Sequence, residues 1–68
     1  MMYVKWLWME CEKFTATVDL NQNDTVIDAP PQMKNFVGKH KSCLEFYLKS
    51  EYPDIEIQER KIFFNDNS

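Results

Sequence analysis

The sequence predicts a small α+β domain: an antiparallel sheet of three to four strands in the order β-β-β-α-α-β, packed by one main helix. Three observations carry the prediction. YVKWLWM (3–9) and KFTATVDL (13–20) place apolar and polar side chains in the two-residue rhythm of strands. The polar cluster NQND (21–24) joins the second run to TVIDA. Ser42-Cys-Leu-Glu45 then precedes an apolar stripe at helical spacing that stops at Pro53.

In the first run, strand alternation puts Val4, Trp6 and Trp8 on one face and Tyr3, Lys5, Leu7 and Met9 on the other, so both faces carry large apolar groups. A polar break from Glu10 to Lys13 predicts a turn. The second run is cleaner: Phe14, Ala16, Val18 and Leu20 share one side, and Lys13, Thr15, Thr17 and Asp19 the other, as in a half-buried antiparallel strand. Asn and Asp tolerate left-handed backbone and bond their own main chain, so NQND closes a hairpin over 13–28.

Asp28-Ala-Pro-Pro ends that hairpin, because proline cannot donate to a ladder but fits the first turn of a helix. QMKNFV forms a short helical segment. Gly38, the only glycine in the chain, stands where a left-handed C-terminal cap would follow Val37. Ser42 and Glu45 match a capping box for a helix over 43–51, with Leu44, Tyr47 and Leu48 turned inward. IEI (55–57) reads as the last strand. IFF (62–64) fits either an extension of the sheet or an apolar segment docked on it, and NDNS (65–68) is a fraying tail.

At 68 residues the chain makes one domain, over 1–64, with a core near the lower limit for independent folding. A hydrophobic content of 44% argues against disorder through the body of the chain. Two cysteines, Cys11 and Cys43, are too few for a disulfide framework, and their spacing fits no zinc site; both are expected as reduced, buried thiols. MMYVKWLWMECEK has no basic leader, no sustained apolar run and no small-residue cleavage site, so the expected location is the cytoplasm, away from membrane. A net charge of −3 disfavours duplex nucleic acid, whose binding depends on neutralising phosphates.

Chemistry has few candidates. No nucleophile–base pair, metal cluster or sheltered carboxylate pair is evident, so no enzymatic activity and no cofactor are expected. His40, flanked by Lys39 and Lys41, suits neither a catalytic triad nor a metal shell. The group Lys39, His40, Lys41 and Ser42 does cluster at a helix start, where free amides and the dipole favour an anion such as phosphate, although a capped helix with solvated lysines uses the same residues. Tyr3, Trp6 and Trp8 are the candidate interface residues, because large aromatics anchor protein contacts. The same rings could instead complete the core or stack on a planar ligand.

The segment KFTATVDLNQNDTVIDAPPQMKNFVGK resembles a pattern in short, uncharacterised proteins of tailed bacteriophages and prophages. That pattern runs Phe-Thr, alternating valines, a turn, Ile-x-x-Ala-Pro and Phe-x-Gly; Phe14, Thr15, Val18, Ala29, Pro30, Phe36 and Gly38 hold those positions here, while Ile27 stands one residue nearer Ala29 than the pattern has it. Such proteins often carry Gly-Gln-Pro where this chain has Gly38-Lys39-His40, and Trp6 and Trp8 lie outside the match. The resemblance implies a phage accessory protein acting by occupancy in the host cytoplasm, as a host-directed or anti-defence factor. On that expectation its partner is a host protein or a second copy of itself in a homo-oligomer. One alternative is an oligomeric sponge that stacks a nucleotide signal on Trp6 or Trp8 and holds its phosphate with Lys39 and Lys41. A second alternative is a single-stranded nucleic-acid binder.

Overall fold

A computed structural model describes residues 2–64. Strands β1 (Met2–Glu10), β2 (Thr15–Leu20) and β3 (Val26–Asp28) are followed by a 3-10 helix (Pro31–Phe36), helix α1 (Lys41–Glu51) and strand β4 (Glu56–Phe64). The sheet is antiparallel with order β3-β2-β1-β4, so β1 is central and the two ends of the described chain lie side by side. This is the α+β architecture expected from the sequence, with four strands and one main helix.

The residues of β1 explain its place. Leu7 and Met9 are fully buried and pair with Val18 and Ala16 of β2 on one side and with Glu59 and Ile57 of β4 on the other. Leu44 and Leu48, one helical turn apart on α1, join them with Val18, Leu20, Val26, Ala29, Met33 and Ile55 in a single apolar cluster. Phe14 and Tyr52 pack edge to face at 5.0 Å and close one end of it. Tyr47 stands nearer the helix margin, 39% exposed, with its ring 5.2 Å from that of Phe36.

The turns follow the side chains that build them. Asn21 Oδ1 accepts from the amides of Asn23 and Thr25, and Asp24 takes positive φ (64°). Gly38 has φ 92°, the left-handed conformation expected of it after Val37. The helix start differs from expectation: the N-cap is His40, whose Nδ1 accepts from the Ser42 amide at 3.1 Å. The helix begins at Lys41, so Ser42 lies inside the first turn and no Ser42–Glu45 capping box forms; the Ser42 hydroxyl sits 2.9 Å from the same imidazole nitrogen. Cys43 is also corrected. It is exposed on α1 because the buried stripe runs through Leu44 and Leu48, whereas Cys11 is half-buried against the core.

IFF extends the sheet. β4 pairs with β1 without interruption from Glu10↔Glu56 to Met2↔Phe64, while β2 reaches β1 only from Glu10 to Lys5. Residues 2–4 and 62–64 therefore continue as a two-stranded ribbon, and the described residues span 45 × 22 × 18 Å. The tail expected at 65–68 lies outside the described residues. Among the described residues, no helix is long and apolar enough to cross a membrane.

Candidate binding surface

Both helices pack on the face of the sheet that carries Leu7, Met9 and Val18. Among the described residues no element covers the opposite face, and the pleat sends every second residue of β1 onto it: Met2, Val4, Trp6, Trp8 and Glu10. Directly across the ladders, Trp6 stands between Asp19 and Arg60, and Trp8 between Thr17 and Gln58. Val4 pairs with Ile62 and Met2 with Phe64. Both indoles are half-buried by these neighbours.

The Arg60 guanidinium lies 5.2 Å from the Trp8 ring centroid, a cation–π contact made diagonally across the ladder, and donates to Gln58 Oε1 at 2.9 Å. Beside Trp6 a shallow groove runs between Val4, Asp19, Leu20 and Ile27. The surface thus has an apolar centre of Val4, Trp6, Trp8, Ile27, Ile62 and Phe64. Around it, Glu10, Asp19, Asp28 and Glu56 outnumber the one arginine. Two members of this rim are already engaged: Gln58 Nε2 donates to Glu56 Oε2 at 3.3 Å, and Lys34 bonds Asp28 at 2.9 Å and, together with the Ala29 amide, holds the Asp28 carboxyl below the ordinary aspartate value.

Tyr3 does not join this surface. The same alternation places it on the helix side of the ribbon, where its ring lies 5.3 Å from Phe63 and Lys61 Nζ stands 5.6 Å from its centroid. The three candidate aromatics are therefore split, two on the open face and one behind it.

The basic group at the helix start is also divided. Lys41 bonds Glu59 Oε1 and lies 3.8 Å from Asp24 Oδ2. The Glu59 hydrogen bond pushes the Lys41 ammonium above its ordinary value and holds the Glu59 carboxyl below its own. His40 and Ser42 are occupied with each other at the cap. Lys39 is exposed and fixed through its main chain, its amide donating to Phe36 and its carbonyl accepting from Val26. This group belongs to the helix side of the sheet, because Glu59 lies across the ladder from Leu7.

Sequence reasoning overlooked two contributors. Arg60, Ile62 and Phe64 complete the open face, and their signal was alternation continuing from IEI through ERKIFF. Lys5, Asp24 and Glu59 form, with Lys41, a charged cluster under the sheet end. The visible signal there was a lysine in phase with Leu7 and Met9. Among the described residues, no group of three or more His, Cys, Asp or Glu could hold a metal ion. No protein-family model, curated protein or solved structure matches the chain.

Proposed function

We propose that this chain is a binding module without catalytic chemistry, which occupies a partner protein through the open face of its sheet. The observation that carries the reading is the Trp6–Trp8 pair, standing on the uncovered side of the central strand with Val4, Ile62 and Phe64 beside it. Large aromatics centred in an apolar patch are the usual energetic anchors of protein interfaces. The acidic rim selects the partner: an apolar protein patch edged by lysine or arginine complements Glu10, Asp19 and Glu56. The phage-type pattern over 13–39 supports a host-directed, anti-defence setting for such occupancy.

The nucleotide sponge fits the geometry less well. Trp6 and Trp8 lie on one side of the sheet and Lys41 on the other, so one nucleotide cannot reach both within a chain. The same acidic rim weighs against single-stranded nucleic acid.

The test is capture from host lysate by wild type and by Trp8→Ala, both shown to be folded by far-UV circular dichroism. A retained protein must be identified, purified and titrated back. The expected result is a blue shift of tryptophan emission on mixing, weakening with salt, and at least tenfold weaker binding by Trp8→Ala. Binding unaffected by Trp8→Ala, with no change in emission, would overturn the reading.

A further inference from the structure

The two edges of the sheet are built differently. The β3 edge is blunted: the strand has three residues, a register shift separates Asp19 and Leu20 in its pairing, and Ala29-Pro30-Pro31 follows at once. β4 has none of these devices. Its nine residues, EIQERKIFF, hold an unbroken register on β1 and contain no proline, and no strand among the described residues flanks its outer side. Its apolar end is exposed on both faces, with Ile62 at 49%, Phe63 at 58% and Phe64 at 47%. A long, regular edge with an apolar end is a template for another strand.

We propose that the strand it takes is β4 of a second copy, paired antiparallel about a two-fold axis through Arg60, so that two four-stranded sheets become one of eight. The sequence of β4 is complementary to itself in that register. Residues directly across an antiparallel ladder share a face, so keeping both helices on the same side requires partners of equal parity. Centred on Arg60, the alignment sets Glu59 against the partner's Lys61 and Lys61 against the partner's Glu59, two opposite-charge pairs on the helix side. It also sets Ile57 against the partner's Phe63, twice, on that face.

The charges are available for this. Glu59 meets Lys41 through Oε1, leaving its second carboxylate oxygen for the partner's Lys61. Among the described residues no carboxylate lies within ion-pair distance of Lys61, whose ammonium rests over Tyr3. The cost lies on the open face: Arg60 stands against its own copy, each guanidinium drawn back over its own Trp8, while Gln58 meets the partner's Ile62 and Glu56 the partner's Phe64. Centring on Glu59 would oppose two glutamates and centring on Lys61 two lysines, and either would lose the Glu59–Lys61 pairs. The inference stands on the edge of β4, apart from the open-face reading. The dimer leaves Trp6 and Trp8 uncovered, so either proposal can fail alone.

Sedimentation equilibrium over micromolar to submillimolar concentration tests it. Wild type is expected to dimerise. Lys61→Glu, which gives up only the Tyr3 contact within its own chain, should weaken the dimer by about tenfold or more. Glu59→Lys should do the same, and a mixture of the two variants should associate one to one, because each supplies the charge the other lacks. Circular dichroism confirms folding; should Glu59→Lys fail to fold for want of its Lys41 contact, Lys61→Glu decides alone. A monomeric wild type, a dimer indifferent to Lys61→Glu, or a mixture of folded variants that stays monomeric would each overturn the proposal.

Discussion

Lys5, with only 7% of its side chain exposed, donates to Asp24, a residue nineteen positions on whose backbone sits at φ 64°. The ammonium comes from the apolar-facing row of the central strand, and its carboxylate from the turn between β2 and β3. The pair therefore ties the hairpin to β1 on the buried side. Lys41 approaches the same carboxylate and passes the connection to Glu59 on β4.

The two members of this pair should respond differently to mutation. Lys5→Met replaces a buried charge by an apolar chain of similar length and leaves Asp24 partly hydrated, so stability should stay within about 1 kcal/mol of wild type. Asp24→Asn keeps a residue tolerant of the left-handed turn but strands the Lys5 charge, and should lower the urea midpoint. The double variant should recover much of that loss, which a double-mutant cycle would measure.

Acid should act on the same cluster. Hydrogen bonds from Lys5 and Lys41 hold Asp24 and Glu59 below their ordinary values of 3.8 and 4.5. A carboxyl lowered by folding stabilises fully above its unfolded value, and that contribution disappears as pH falls through the lower folded one. Lys41, raised above 10.5 by the same Glu59 bond, loses that shared contribution at the opposite extreme, as pH climbs beyond that value. The denaturation midpoint should fall steeply below about pH 4, and Glu59→Gln should flatten part of that fall.

Gly38→Ala isolates a backbone effect. A methyl group there would meet nothing within 4 Å, so the cost comes from φ 92° alone. A loss of about 1 to 2 kcal/mol is expected in thermal unfolding, with a smaller loss for Gly38→Asn.

Removing the imidazole acceptor in His40→Ala should cost about 1 kcal/mol and fray the first turn of α1. His40→Asn, with an oxygen acceptor at the same place, should restore most of it. Amide exchange at Ser42 is the local measurement.

On α1, Leu44→Ala should cost about 2 to 5 kcal/mol, since Leu44 is fully buried between helix and sheet. Phe46→Ala, at a side chain 77% exposed, should change stability by less than about 0.5 kcal/mol. Chemical denaturation of both variants would check the placement of the helix.

The strands were legible wherever alternation and turn chemistry agreed: Thr15 to Leu20, NQND and the single glycine each spoke for one local conformation. Trp6 and Trp8 could be placed together on one face, but only the topology shows that the helix covers the other. The helix start misled because Ser42 and Glu45 satisfy a pattern that the His40 imidazole pre-empts two residues earlier. IFF was ambiguous because a short apolar run has no period of its own, and its role follows from the register with β1. The Lys5–Asp24–Lys41–Glu59 cluster joins four segments distant in sequence, so local patterning could not assemble it.

The central place of β1 has a kinetic consequence. Its ladder to β2 closes over the short segment 11–14, whereas its ladder to β4 brings together residues separated by nearly the whole described chain. Loop closure makes the local hairpin the earlier event and β4 the late arrival. Until β4 docks, β1 is itself an open edge with large side chains on both faces. In concentrated refolding, the β4 that reaches it first can belong to another molecule, giving an intertwined, strand-exchanged species whose yield rises with protein concentration.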